Sequence, residues 1–156
     1  APEAAEAMAL SAALFTAEAY GTWRDVIEAA PEKMFAPILA RFRSGAAVSA
    51  ADFVAGWRRL KTLRAIWADR VAAFDAVLIP TSPILPPEAQ RLLSDDAYYA
   101  TEDLLARRNT RMGSMLGVAA LTLPTSQPSC GISLMTLPGT DRRLLRLGLA
   151  AERALH

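Results

Sequence analysis

Between Ala76 and Pro87 a short apolar run stops at a proline, and three more prolines follow within the next seven residues (Ala76-Val-Leu-Ile-Pro-Thr-Ser-Pro-Ile-Leu-Pro-Pro87). Proline has no amide proton to give to a ladder, so the run predicts a strand over 76–79 that ends where the first ring begins. Pro80, Pro83, Pro86 and Pro87 then hold an extended loop off the strand's end. A rigid loop at a strand terminus is where α/β proteins commonly place groups that touch a ligand.

The rest of the chain is written mostly in helical periods. Residues 3–30 are alanine-rich, with Leu10, Leu14, Tyr20, Trp23 and Ile27 recurring at helical steps; Gly21 marks a possible break and Pro31 an end. A shorter helix is predicted over 36–43, with Pro37 in its first turn and Gly45 beyond its end. The clearest helix spans about 50 to 74. Ser49 is a natural cap with Asp52 three residues on, and Phe53, Trp57, Leu60, Leu63, Trp67, Val71 and Phe74 form one apolar stripe. Such a stripe is core packing and is assigned no ligand. A polar helix over roughly 94–116, with Ser94 as its cap, follows the proline loop. Strands at 119–123 and 131–137 and a leucine-rich helix over 140–155 complete the reading. Three short strands, apolar on both faces, make a meagre sheet by themselves and read as part of a larger one.

Composition removes several classes of function. The 156 residues carry a formal net charge of +1, so no strong field points to nucleic acid or an anionic membrane surface. Arginines cluster at Arg41/Arg43, Arg58/Arg59, Arg107/Arg108/Arg111 and Arg142/Arg143/Arg146, but acidic residues lie near most of them, which predicts solvated, ion-paired helix faces. No run of 18 apolar residues occurs, and Glu3 and Glu6 interrupt the alanine-rich start, so neither a membrane span nor a signal peptide is indicated. One cysteine, Cys130, excludes an internal disulfide and a multi-cysteine metal site, and it fits a reducing, cytoplasmic setting. The lone histidine is the last residue, His156, so a histidine-activated nucleophile would depend on the chain's end. The chain begins Ala-Pro-Glu rather than Met, which reads as a processed chain or a piece of something longer.

Five motifs in order carry a resemblance. These are the proline-loop strand, Arg108-Asn-Thr110, Leu116-Gly-Val-Ala-Ala-Leu-Thr-Leu-Pro124, Gly131-Ile-Ser-Leu134, and the helix Leu144-Leu-Arg-Leu-Gly-Leu-Ala-Ala-Glu152. Together they resemble the C-terminal portion of the amidase-signature hydrolases. Upstream, Glu18-Ala-Tyr-Gly-Thr-Trp-Arg24, Arg41-Phe-Arg-Ser-Gly45 and Ser49-Ala-Ala-Asp-Phe53 are also similar to family members. The resemblance implies an α/β fold: the C-terminal part of an α/β/α sandwich with a mixed sheet, helix-rich here, with 1–74 mainly helical and 75–156 adding strands and helices to the core sheet. Ser114 stands where many members have Asn, Ala119 where Pro is usual, and Cys130 replaces an aliphatic residue before the strand glycine.

The resemblance also implies chemistry that these residues do not hold. Family members cleave carboxamides with a Ser-Ser-Lys triad, one serine attacking, the second relaying its proton and a neutral lysine acting as base. The nucleophile and its oxyanion-binding amides sit in a Gly/Ser-rich loop. No Gly-Gly, Gly-Ser-Ser or Ser-Gly-Gly occurs here, and Lys33 and Lys61 lie in helical segments. No catalytic residue is therefore assigned within the chain. Thr81, Ser82 and Asn109 are the candidate substrate-binding residues, set against a plain structural role in satisfying the loop's backbone groups. Arg108 could clamp a substrate carboxylate but is expected to pair with Glu102 or Asp103. Asp95-Asp96 and Glu102-Asp103 are expected to cap and solvate helices, and Cys130 to be a buried small side chain. No cofactor or metal is implied. The implied partners are the N-terminal part of the amidase and a small amide substrate, with a homodimer of the intact enzyme allowed and neither nucleic acid nor membrane. A non-catalytic interaction or scaffold module derived from an amidase-like protein is the alternative, and a self-contained hydrolase using Cys130 or Ser82 a distant third.

Overall fold

The computed structural model describes residues 1–155; His156 lies outside the described residues, and with it any histidine-based pair. The chain divides into two compact units, Ala1–Ile66 and from Trp67 onward.

The first unit holds α1 (Pro2–Ala29), α2 (Ala36–Arg43) and the start of α3 (Ala50–Val71), with short 3-10 turns at Pro31–Lys33 and Ser44–Ala47. Helix α1 runs through Gly21 without a break: helical hydrogen bonding outweighs the entropic cost of one interior glycine. Its inner side buries Ala4, Ala7, Leu14 and Ile27, while Leu60 and Leu63 of α3 are each only 1% exposed. The second 3-10 turn comes against α1 so closely that a side chain at Gly45 would overlap the carbonyl of Thr16 and stand 2.8 Å from the Ala17 amide nitrogen. Only glycine fits there. The Ser49 hydroxyl accepts the Asp52 amide at 3.0 Å and donates to its carboxylate at 2.6 Å, the cap that the sequence leads one to expect. The apolar stripe is buried in its middle only: Trp57 is 37% and Phe74 66% exposed. Phe74 lies past the last helical turn.

Each arginine cluster contributes a surface ion pair, through Arg43, Arg59, Arg107 and Arg143. Arg43 grips Glu28 with two hydrogen bonds of 2.9 and 2.6 Å, and Arg59 grips Glu6 in the same way at 2.5 and 2.6 Å. These bonds hold the carboxyls of Glu6 and Glu28 below their ordinary values.

The second unit is built on three antiparallel strands, β1 (Val77–Pro80), β2 (Ala119–Pro124) and β3 (Gly131–Thr136), in the order β1-β3-β2. Register pairs Ile79 with Ser133 and Thr122 with Ser133, so these three side chains share one face. Residues Leu121, Leu123, Ile132 and Leu134 lie on the other face. There α7 (Asp141–Leu155) packs Leu144 and Leu147 onto Leu123 and Leu134 to form the unit's core. The central strand is buried on both faces, from Ser133 through Thr136. All strand pairing among the described residues is antiparallel, so the mixed sheet expected of the family is not met within the chain. The edge strand β1 is not apolar-covered on both faces either, since Leu78 is 62% exposed.

The single polar helix expected over 94–116 is three helices: α4 (Ala89–Ser94), α5 (Asp96–Ala106) and α6 (Arg108–Leu116). Asp95 is the reason for the first break. Its backbone is extended and its carboxylate accepts the Tyr98 amide at 2.9 Å, so it caps α5, while Ser94 only donates back to the Gln90 carbonyl. Helix α6 ends at Gly117, whose φ of 69° is the left-handed turn that glycine adopts freely, and the chain passes directly into β2.

Candidate functional site

The proline loop and the ends of β2 and β3 enclose a cleft of about 600 Å³. Its lining includes Thr81, Ser82, Ile84, Thr122, Cys130 and Gly131. The loop is fixed to the sheet at its root. The Thr81 amide donates to the Gly131 carbonyl at 2.9 Å, carrying the ladder one residue past the proline that ends β1. The side-chain amide of Asn109, on α6, donates to the carbonyl of Pro80 at 2.7 Å. Pro80 gives no donor to its neighbours, and Asn109 ties down the group it does have.

A row of hydroxyls crosses the sheet at the cleft's floor. Thr81 Oγ1 lies 2.9 Å and Thr122 Oγ1 3.0 Å from Ser133 Oγ. Ser133 is 2% exposed, whereas Thr81 and Thr122 both line the cleft. Beside them the Ser82 hydroxyl accepts the Ile84 amide at 3.4 Å, which leaves its own proton available. The far rim is the turn from Thr125 to Cys130. The Thr125 amide and hydroxyl both donate to the Cys130 carbonyl, at 3.2 and 3.1 Å, and Ser129 takes a left-handed φ of 61°.

The structure thus brings Thr81 and Ser82 together in the cleft and places Asn109 behind it, on the strand's last carbonyl rather than in the lining. Cys130 is not the buried apolar side chain expected: the left-handed turn at Ser129 leaves it half-buried at the rim. Asp103 pairs with Arg107, the residue before the expected Arg108, because a spacing of four along a helix brings side chains face to face. Asp95 pairs with Arg91 besides capping α5, and its carboxyl is held low chiefly by the Tyr98 amide. Ser133 and Thr122 escaped the sequence reading. A serine inside an apolar strand looks unremarkable until the pairing of β1 and β2 with β3 puts a threonine on each side of it.

What the cleft can do is bind. Its lining is hydroxyl, backbone, apolar and the one thiol of Cys130, with no carboxylate, lysine or histidine among the described residues. Lys33 and Lys61 are exposed, the first on a 3-10 turn and the second on α3. No group of three or more His, Cys, Asp or Glu side chains is gathered among the described residues in a way that could hold a metal ion.

A solved crystal structure of an amidase superposes on 96% of the chain with a TM-score of 0.75 at 20% identity, and the chain covers 36% of it. The 2-amino-5-chloromuconic acid deaminase of Comamonas testosteroni is 30% identical over 119 residues, 72% of this chain. The chain resembles the C-terminal portion of an amidase. No family model matches it. The amidase-like chain spans about a quarter of the length of the curated deaminase, 25%. No helix among the described residues is long and apolar enough to cross a membrane.

Proposed function

We propose that this chain is part of a hydrolase that cleaves the C–N bond of a carboxamide, and that it forms one wall of the substrate cleft and completes an α/β/α core. In this reading the nucleophile, its base and the oxyanion donors belong to the rest of the polypeptide, as a Ser-cisSer-Lys triad. The observation that carries the reading is the cleft at the end of β1: hydroxyl donors and acceptors with apolar walls, and no group fit to act as base. The likeness to an amidase fold and to a deaminase supports a reaction that expels nitrogen.

The chemistry divides accordingly. An activated hydroxyl adds to the amide carbon, charge builds on the carbonyl oxygen, and the amine leaves once protonated; water then releases the acid from the acyl intermediate. This chain's share is orientation. Thr81 and Ser82, on a loop stiffened by four prolines, hold the amide or its substituent at a set angle, and Ile84 and Leu85 take its apolar part. The single cysteine fits an enzyme that works in a reducing compartment such as the cytoplasm.

Steady-state kinetics of the full-length natural protein with a panel of primary carboxamides tests this. Thr81→Val and Ser82→Ala should raise KM several-fold at nearly constant kcat, as loss of a positioning contact does. If either change abolishes turnover with the fold intact, the residue takes part in the chemistry and the division of labour is wrong.

A further inference from the structure

We propose that Thr81, Ser133 and Thr122 form a three-hydroxyl relay that accepts a carboxamide in the cleft and rejects the corresponding carboxylate; this deepens the reading of the cleft as a substrate wall and rests on it. Each hydroxyl has one proton to donate and two lone pairs to accept with. Three hydroxyls joined by two hydrogen bonds, of 2.9 and 3.0 Å, use two of their three protons internally. If both threonines donated inward, the Ser133 proton would be left without a partner in a site 2% exposed, which is costly. Two arrangements remain: Thr81 to Ser133 to Thr122, or the reverse. In each, one threonine offers the cleft a proton and the other offers only lone pairs.

Both ends line the same cleft. A primary carboxamide brings one acceptor, its oxygen, and one donor, its nitrogen, and either arrangement matches it. A carboxylate brings two acceptors, so one of its oxygens meets lone pairs, and no cationic side chain in the lining offsets this. The buried Ser133 touches no ligand. It is a positioning residue, setting which ends donate by spending its single proton on one neighbour. Because hydrolysis converts the amide into an acid, the same relay favours substrate over product and speeds clearance of the site.

The test uses the full-length protein and a shape-matched pair, benzamide and benzoate, with protection of Cys130 against N-ethylmaleimide as the readout, followed by peptide mass spectrometry. Cys130 lines the cleft, so an occupant slows its alkylation whether or not it is hydrolysed. Benzamide should protect at a concentration about five-fold or more below benzoate, the effect of one satisfied hydrogen bond. Ser133→Ala frees both threonine protons, so benzamide weakens, benzoate gains and the preference disappears. Thr122→Val, at an exposed position that does not threaten folding, should also remove the preference, and Thr122→Ser should keep it. No protection by benzamide, equal protection by benzoate in the unaltered protein, or a preference unchanged in Thr122→Val would each overturn the relay. A preference that depends on Ser133 and Thr122 without any amide hydrolysis would uphold the relay and remove the hydrolase reading. Hydrolysis with an unaltered preference in the variants would do the opposite.

Discussion

Replacing Asn109 separates two roles for a residue that the sequence marks and the structure puts behind the cleft. Its side-chain amide donates to the Pro80 carbonyl at 2.7 Å, while the next residue's amide, Thr81, bonds the Gly131 carbonyl at 2.9 Å. Asn109→Ala removes one neutral hydrogen bond, worth about 1 kcal/mol, and Pro80 is exposed enough for water to satisfy its carbonyl afterwards. Asn109→Asp keeps the shape but sets a carboxylate against a carbonyl, so about 2 kcal/mol is expected from the lost bond plus repulsion. The loss is local to the end of β1. Native-state hydrogen exchange should show the Thr81 amide opening about five-fold more often in Asn109→Ala, and more again in Asn109→Asp, with β2–β3 amides unchanged. KM should rise through the disturbed loop, in step with that opening. If Asn109→Ala alters KM while Thr81 protection stays as it was, Asn109 touches substrate and the clamp described here is wrong.

Two further outcomes follow from the first unit. Gly45→Ala should destabilise it by about 3 kcal/mol or more, because the new methyl overlaps backbone that cannot step aside, whereas Gly21→Ala, with nothing within 4 Å, should stabilise it by about 0.5–1 kcal/mol; urea unfolding midpoints give both signs. Side-chain NMR titration should find Glu28 and Glu6 ionising below the ordinary glutamate value of about 4.3, because Arg43 and Arg59 hydrogen-bond their charged forms. A depressed folded pKa means that each pair's contribution to stability is present above the ordinary carboxylate range. It is lost as pH falls through the folded value. Arg43→Gln should raise Glu28 toward its ordinary value, the Tyr20 hydroxyl remaining as a weaker donor to its carboxylate, and leave Glu6 where it is.

Local signals were legible and pairing signals were not. The Ser49–Asp52 cap, the proline that ends β1 and the glycines that bound helices act within a few residues, so the ends they mark stand within a residue of where the sequence puts them, whereas the uncapped end of α3 falls at Val71, short of the expected 74. The division of 94–116 was hidden because neither break uses glycine or proline. One is an aspartate whose side chain outcompetes the helix for the Tyr98 amide, and the other is the single residue Arg107 at φ −92° and ψ −1°. At the cleft, Thr81 and Ser82 could be suspected because a strand's end is a position readable from sequence. Ser133 and Thr122 could not, since their juxtaposition depends on β3 lying between β1 and β2, a non-local order that no spacing in the chain encodes. The exposed ends of the α3 stripe are a related case: periodicity reports one face of a helix, and only tertiary packing decides how much of that face is covered.

Covalent mapping of the reacting nucleophile is the most direct test of the division between wall and machinery. The full-length natural protein would be labelled with a fluorophosphonate, which traps activated hydroxyls, and the adduct located by peptide mass spectrometry. The expected result is a single modified serine outside these 156 residues, with labelling slowed when a carboxamide occupies the cleft. An adduct on Thr81, Ser82 or Ser133 would contradict it, because the attacking group would then lie within the wall itself.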